Sequence, residues 1–519
     1  MEHRKDDQNS NRLFSMLILG VTPLLACLAM CLKEGIWLKD VYLANSGWND
    51  EVFYYKMIEA TIKYGQPLGY FGYNGSTANI GRFGSWSPVL FLFYVLYGKV
   101  FGWSMLSPIY CNMILMTVAM IIFACLVRPN VRQALSICLL YCFCTIITRY
   151  VFSNMPEISI YALLVIFLGF TVKMLRQEGE GIRLGSVICL NLLAFLLVLM
   201  RPYWILLGIV PGGYWYSKSH KKKIILGELI WAFVGIAFYF FINKNFCAAY
   251  YEDIINLDWL ELLFSHPIQG IVNMADTFVS SLEMIFQHVK DGIIDGDPIG
   301  GAYAVYLLAA IYGIYLLLCQ SRNEKKEKEF LNIFLGYLLA YFCVMLLAII
   351  YLYDVNAGSR HVMGFVLIFI CLVPFLERSI IRYAILLTVF LWIFGVKATD
   401  GHTYQIPVYT EEKEMDLQKG RKELLQNGMA DLSSSEPWDN TVIWLLKDET
   451  DIDFTYLYAL PEGMGIELYF KGIVSDSFAQ LKPKYILTNI GEEIDLLCER
   501  EGKERMAEYG NVHVWKLRE

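Results

Sequence analysis

Charged residues are scarce in this chain: they make up 18% of 519 residues, against 56% apolar and 15% aromatic. A soluble globular chain carries about a quarter charged residues, so the composition excludes an ordinary water-soluble protein. A strong charge of one sign is lacking too. The net charge is -7, with much of the acid after residue 400, which offers nothing to a nucleic acid. The 13 cysteines form neither a disulfide framework nor a metal-ligand spacing. Most lie inside apolar runs such as CLLYCFCT (138–145), where they act as small hydrophobes; Cys247 and Cys498 are the ones expected outside the membrane. No repeat of fixed period and no low-complexity tract occurs. A cleaved signal is not expected either, because the run 13–32 exceeds a signal's apolar core and LACLAMCLKE is a weak cleavage site.

What the chain has is long apolar runs. Those at 13–32, 104–127, 134–151, 158–173, 184–200, 203–217, 224–242, 300–319, 330–351, 362–376 and 380–397 predict about eleven membrane-spanning helices. Basic residues mark one side: Arg128 and Arg132, then Lys173, Arg176 and Arg183, KSHKKK (218–223), RNEKKEK (322–328), and Arg378 with Arg382. That side, with the N-terminus, is expected to be cytoplasmic, and the odd count places the C-terminus outside the cytoplasm. The segment WSPVLFLFYVLYGKVFG (86–102) would invert every later loop if it crossed, so it is expected to stay at the outer face as a juxtamembrane or re-entrant helix.

The fold class expected is therefore mainly α, a polytopic membrane protein with a small extracytoplasmic α/β domain at its C-terminus. The membrane part covers 1–399, with long outer loops at 33–103 and 243–299, and the α/β domain covers 400–519. In the tail, TVIWLL (441–446), FTYLYAL (454–460), KYILTN (484–489) and NVHVWKL (511–517) read as strands, alternating with helical stretches at 411–427 and 492–508. The loop 243–299 carries two amphipathic stretches suited to the bilayer surface.

Polar residues gather at the outer face. In SGWNDEVFYYKMIEATIKYG (46–65), Asp50 and Glu51 precede a run of aromatics, and Ser46 or Asn49 can cap a helix starting near Asp50. A capped amphipathic helix without chemistry explains this stretch; so does a catalytic carboxylate in a loop too long for a mere connector. RYVFSNMPEI supplies Arg149 and Glu157, MRPYW supplies Arg201, and YLYDVNAGSRHVMGF supplies Asp354, Arg360 and His361. Arg82, in the first outer loop, completes the set of candidate binding residues. Arg201 and Arg360 run against the positive-inside bias. Each cation alone reads as a snorkelling side chain, but together acids and cations at one rim of a bundle suggest a site. A carboxylate serves as general base, and arginine binds phosphate in bidentate fashion. Outside the cytoplasm no nucleotide sugar is supplied, so an activated donor has to arrive in the membrane. A lipid-linked phosphosugar meets that need.

The stretch NDEVFYYKMIEATIKYGQP, followed by RFGSWSPVLFLFYVLYGKVFGWSMLSPIYCNMILMTVAMIIFACL, resembles the start of the GT-C superfamily of membrane glycosyltransferases, such as the protein mannosyltransferases and the lipid A aminoarabinose transferases. Their pattern is an acid before aromatics in the first outer loop, a HPPLYY-like helix, LFG and a long span. Here WSPVLFLFYVL stands at the HPPLYY place without its His, VFG stands for LFG, and Glu157 holds the place of a second acid. The resemblance covers roughly the first third of the chain. It implies an inverting, polyprenyl-phosphate-sugar-dependent transferase of the cell envelope, with a glycan, lipid or protein acceptor, Asp50 as base and Glu51 as the fallback. The resemblance implies no metal for the mannosyltransferase-like branch and one for the oligosaccharyltransferase-like branch; no DxD motif lies near Asp50, so the reading favours no cofactor and leaves a metal open. Two other classes stay open: a transporter or flippase of a lipid-linked saccharide, and a non-catalytic envelope assembly protein. Mid-span positions are nearly free of ionisable residues, unlike a transporter's; Glu228 sits near a span's cytoplasmic end. The tail shows no nucleophile, metal cluster or phosphate loop.

Overall fold

The apolar runs fold as helices because a backbone in lipid has to satisfy its hydrogen bonds within the segment. The computed structural model describes residues 2–33, 35–41, 50–75, 81–84, 87–176, 184–248, 258–294, 297–320, 326–376, 386, 411–429, 432, 436–445, 453–469 and 480–518. The first helices are α1 (Glu2–Lys33), α2 (Asp50–Tyr64), α3 (Leu92–Phe101), α4 (Ser107–Val127), α5 (Val131–Phe143), α6 (Thr145–Arg149) and α7 (Glu157–Leu175). Then come α8 (Leu184–Met200), α9 (Ile209–Ser219), α10 (Lys222–Phe246), α11 (Asp258–Ser265), α12 (Pro267–Ile294), α13 (Pro298–Gln320), α14 (Lys326–Leu352) and α15 (Val355–Leu376). Among the described residues, α4, α7, α10 and segments of α1, α13 and α14 are long and apolar enough to cross a membrane. The expected span 380–397 lies outside the described residues, apart from residue 386.

Several expected spans are reshaped. The run 134–151 is not one helix: α5 starts on a capping box, with the Asn130 side chain accepting from the Gln133 amide at 2.9 Å, and breaks at Cys144. Beyond a bend of 69° the chain continues as α6 and the 3-10 turn Tyr150–Phe152. No Pro or Gly marks the break. It falls at the start of Thr145, Ile146, Ile147 and Thr148, a β-branched run with low helix propensity. The run 203–217 begins as the 3-10 segment Pro202–Gly208 before becoming α9. Residues 352–361, expected as a loop between two spans, are helical from Val355.

The segment 86–102 forms the 3-10 turn Pro88–Phe91 and α3. At about 1.5 Å per residue, α3 is roughly half the thickness of a bilayer core. Its Tyr94 is fully buried and donates to Asn112 Oδ1 on α4 at 2.7 Å. The Asn112 amide in turn serves the carbonyls of Tyr150, Val151 and Ser153 at 3.1, 3.1 and 3.0 Å. One buried carboxamide thus ties α3 and α4 to the broken chain after α6.

The C-terminal part is a mixed sheet with helices α16 (Glu411–Gln426) and α17 (Glu493–Arg500). Its strands are β1 (Phe71–Tyr73), β2 (Thr441–Leu445), β3 (Gly465–Tyr469), β4 (Tyr485–Asn489), β5 (Glu504–Tyr509) and β6 (Val512–Lys516), in the order β1-β3-β2-β4-β6-β5. Strands β1, β3, β2 and β4 run parallel; β6 is antiparallel to β4 and to β5. Two expectations for the tail are corrected. Residues 454–460 are not a strand, because the Asp453 carboxylate accepts from the Thr455 amide at 3.1 Å and starts the 3-10 turn Phe454–Ala459. The helix expected over 492–508 ends at Arg500, where Gly502 turns the chain at φ +66° into β5.

Strand β1 comes from the first long loop, some 400 residues before its partner β3. Glycine permits the join: a Cβ on Gly69, at φ +67°, would lie 2.3 Å from the Gly465 nitrogen. Near this seam Glu467 is buried, and burial pushes its carboxyl up to about 7, opposed by the Gly75 amide and Lys482. A raised acid stays protonated in the fold while the unfolded chain ionises. Stability is therefore lost as pH climbs from the ordinary value of 4.5 to about 7. Glu467→Gln should raise the thermal midpoint at pH 8 and leave it unchanged near pH 4. An equal shift at both values would contradict this.

Candidate functional site

Four helix ends meet at one end of the bundle. The first turn of α2 brings Asp50 and Glu51; the first residue of α7 is Glu157; Arg201 follows the last turn of α8; Arg360 and His361 lie in the second turn of α15. At the opposite ends of these helices Arg176, just past α7, donates to the Val127 carbonyl of α4 at 2.9 Å and lies 4.6 Å from the Phe375 ring of α15.

The cluster is held by ion pairs. Arg201 Nη2 reaches Glu157 Oε1 at 2.5 Å, with both side chains 2% exposed. Arg201 Nη1 also contacts the His361 ring, and the Tyr203 hydroxyl meets His361 Nδ1 at 3.0 Å. Next to it, Arg360 Nη1 lies 3.4 Å from Asp50 Oδ2 and its Nη2 lies 3.3 Å from the Tyr353 hydroxyl. Tyr161 donates to the Arg360 carbonyl at 3.2 Å, fixing this turn of α15 against α7. The Tyr73 hydroxyl donates to Asp50 Oδ1 at 3.2 Å.

The two neighbouring acids of α2 have different surroundings. Glu51 is fully buried and accepts from the Ser153 hydroxyl. Asp50 keeps 28% of its side chain exposed beside the 7%-exposed Arg360. Of the two, Asp50 is the one an incoming molecule can reach. Two buried atoms of the cluster, Glu157 Oε2 and Arg360 Nε, have no hydrogen-bond partner in the described structure.

The remaining sequence candidates sit as follows. Arg149 ends α6, where the chain passes into the 3-10 turn Tyr150–Phe152. Asp354 accepts from the Asn356 amide at 3.0 Å, a helix-capping contact at the start of α15. Arg82 donates to the Lys244 and Cys247 carbonyls at 3.3 and 3.4 Å, clipping the first loop to the end of α10. Tyr73, Ser153, Tyr203 and Tyr353 were missed. Tyrosine and serine are common enough in this chain that no local pattern separates these four. Among the described residues no group of three or more His, Cys, Asp or Glu is arranged to hold a metal ion.

Fold and site together define a multi-span helical membrane protein with a buried charged cluster at one face, capped by an α/β domain. No model of a known family matches the sequence, and no curated protein does. Solved structures overlap it in outline. The Archaeoglobus fulgidus oligosaccharyltransferase, tethered with an acceptor peptide, is 13% identical and aligns over 92% of this chain and 69% of its own, with a TM-score of 0.47. ArnT from Cupriavidus metallidurans is 10% identical over 97% of both chains, with TM-scores of 0.42 in the apo state and 0.40 bound to undecaprenyl phosphate.

Proposed function

We propose that this chain is a membrane glycosyltransferase of the GT-C kind, moving a sugar from a polyprenyl-phosphate-linked donor to an extracytoplasmic acceptor with inversion. The observation that carries the reading is Asp50: a partly exposed carboxylate set against buried Arg360, with Arg201 and His361 behind it. The first-loop sequence resemblance supports the same assignment.

In the reaction, an acceptor hydroxyl attacks the anomeric carbon from the face opposite the phosphate. Asp50 takes the hydroxyl proton as the new C–O bond forms. The bond from the anomeric carbon to the phosphate oxygen breaks, and its electron pair leaves on the phosphate. Arg360 and Arg201 stabilise that growing charge, and Glu157 holds Arg201 in place. The test is single-turnover transfer from a panel of polyprenyl-phosphate sugars; binding of such donors with no transfer to any acceptor would overturn the reading.

Arg360→Ala is expected to weaken donor-lipid binding by about 2–5 kcal/mol, more than tenfold in affinity, because a buried charge-assisted contact is lost. Titration with a polyprenyl phosphate measures this, and unchanged affinity would remove Arg360 from the donor site.

A further inference from the structure

The middle of helix α2 is enclosed on all sides, with every residue from Glu51 to Ala60 buried. Lys56 is among them, fully buried in what the sequence suggests is an amphipathic helix. Its Nζ donates to Glu59 Oε2 at 2.7 Å and to the Leu460 carbonyl of the C-terminal domain. The other oxygen of Glu59 accepts from Arg421 on α16 at 3.0 Å. Arg421 also meets Glu462 Oε1 at 2.7 Å and the Leu460 carbonyl at 3.3 Å, and Lys63 reaches Glu462 at 3.5 Å. Charges therefore alternate from α2 into the domain. Burial pushes the Lys56 ammonium down to about 8, against the pull of Glu59.

Two more ties run from the same domain to the same place. Strand β1 is an edge strand of the domain's sheet, and its Tyr73 donates to Asp50. Asn154 donates to the Tyr458 hydroxyl at 2.7 Å, next to Ser153, which holds Glu51. The Tyr458 ring packs against Tyr55 of α2 at 4.8 Å. Tyr73 on Asp50 and Ser153 on Glu51 fall on the first turn of α2, and Tyr55 lies in the second.

We propose that the C-terminal domain is a positioning element for Asp50, acting through the buried Lys56–Glu59–Arg421–Glu462 network and through Tyr73 at the sheet edge. Arg421 and Tyr73 are then positioning residues for the transfer, an assignment that rests on reading Asp50 as its base. The physical reason is geometric: a displacement of about 1 Å in a reacting group, caused far from the chemistry, lowers rate roughly a hundredfold.

The experiment uses the full chain with Arg421→Ala, Arg421→Lys, Tyr73→Phe and Asp50→Asn. It measures single-turnover transfer at saturating donor, donor-lipid affinity, and hydrogen exchange of the amides in 50–64. Arg421→Ala should lower the transfer rate at least about tenfold, leave donor affinity within about twofold, and speed exchange in α2. Arg421→Lys should recover part of the rate. Tyr73→Phe removes only one hydroxyl, so it should fold normally and still lower the rate. Wild-type transfer by both Arg421→Ala and Tyr73→Phe overturns the proposal, as does a loss confined to donor affinity. If Asp50→Asn also transfers normally, it is the base assignment that fails, and α2 exchange in Arg421→Ala still reports whether the domain holds the helix.

Discussion

Asp50→Asn is expected to insert, fold and bind a polyprenyl-phosphate sugar like the wild type, and to transfer it about a hundred- to ten-thousand-fold more slowly. Asparagine keeps the size and most of the hydrogen bonding but has no basicity. Its amide can still face Tyr73 and Arg360, so the effect belongs to turnover. Glu51→Gln should behave differently. Successive side chains on a helix point about 100° apart, and Glu51 is sunk against Ser153 with no exposure. Its loss should show in thermal stability more than in transfer at saturating donor. Transfer at the wild-type rate by Asp50→Asn, with Glu51→Gln inactive, would mean the wrong carboxylate has been named. Normal transfer by both would end the catalytic reading of this loop.

The largest expected loss of stability comes from Arg201→Ala. Arg201 and Glu157 are each 2% exposed and paired at 2.5 Å. Removing the guanidinium strands a carboxylate among apolar helices, at a cost of about 3–5 kcal/mol. Replacing both partners by methionine removes the stranded charge along with the pair, so Arg201→Met with Glu157→Met should recover much of the stability. It should not recover donor binding, because the cation facing His361 is gone. Unfolding in detergent together with donor-lipid titration separates the two effects. A double variant as unstable as Arg201→Ala would show that the pair does more than neutralise itself.

How much of this was legible in the sequence depends on how local each feature is. Asp50, Glu157, Arg201, Arg360 and His361 stood out because each interrupts an apolar chain at a span's end, and two of them oppose the charge bias. The same logic does not distinguish Asp354 and Arg82 from Arg360; their surroundings do, since Asp354 accepts from a helix-start amide and Arg82 donates to backbone carbonyls, whereas Arg360 faces Asp50 and Tyr353. Lys56 and Glu59, three apart on a helix, look like a solvated pair. Their burial depends on Arg421, 362 positions beyond Glu59. Strand β1 is three residues of FGY between glycine-rich turns, too short for any periodicity, and it exists because a distant strand pairs with it. The break at Cys144 likewise has no Pro or Gly to announce it, and the chain beyond it, at Tyr150, Val151 and Ser153, is tied by Asn112 from another helix.

The measurement closest to the central claim is a cryo-EM map of the full wild-type chain with a bound polyprenyl phosphate. The account predicts phosphate density within hydrogen-bonding distance of Arg360, with Arg201 and His361 close behind, the lipid tail running down the helices from that end, and Asp50 facing the space beside the phosphate. Phosphate bound at the opposite end, near Arg176 and Val127, or an Asp50–Arg360 and Glu157–Arg201 cluster left intact with the lipid elsewhere, would contradict it.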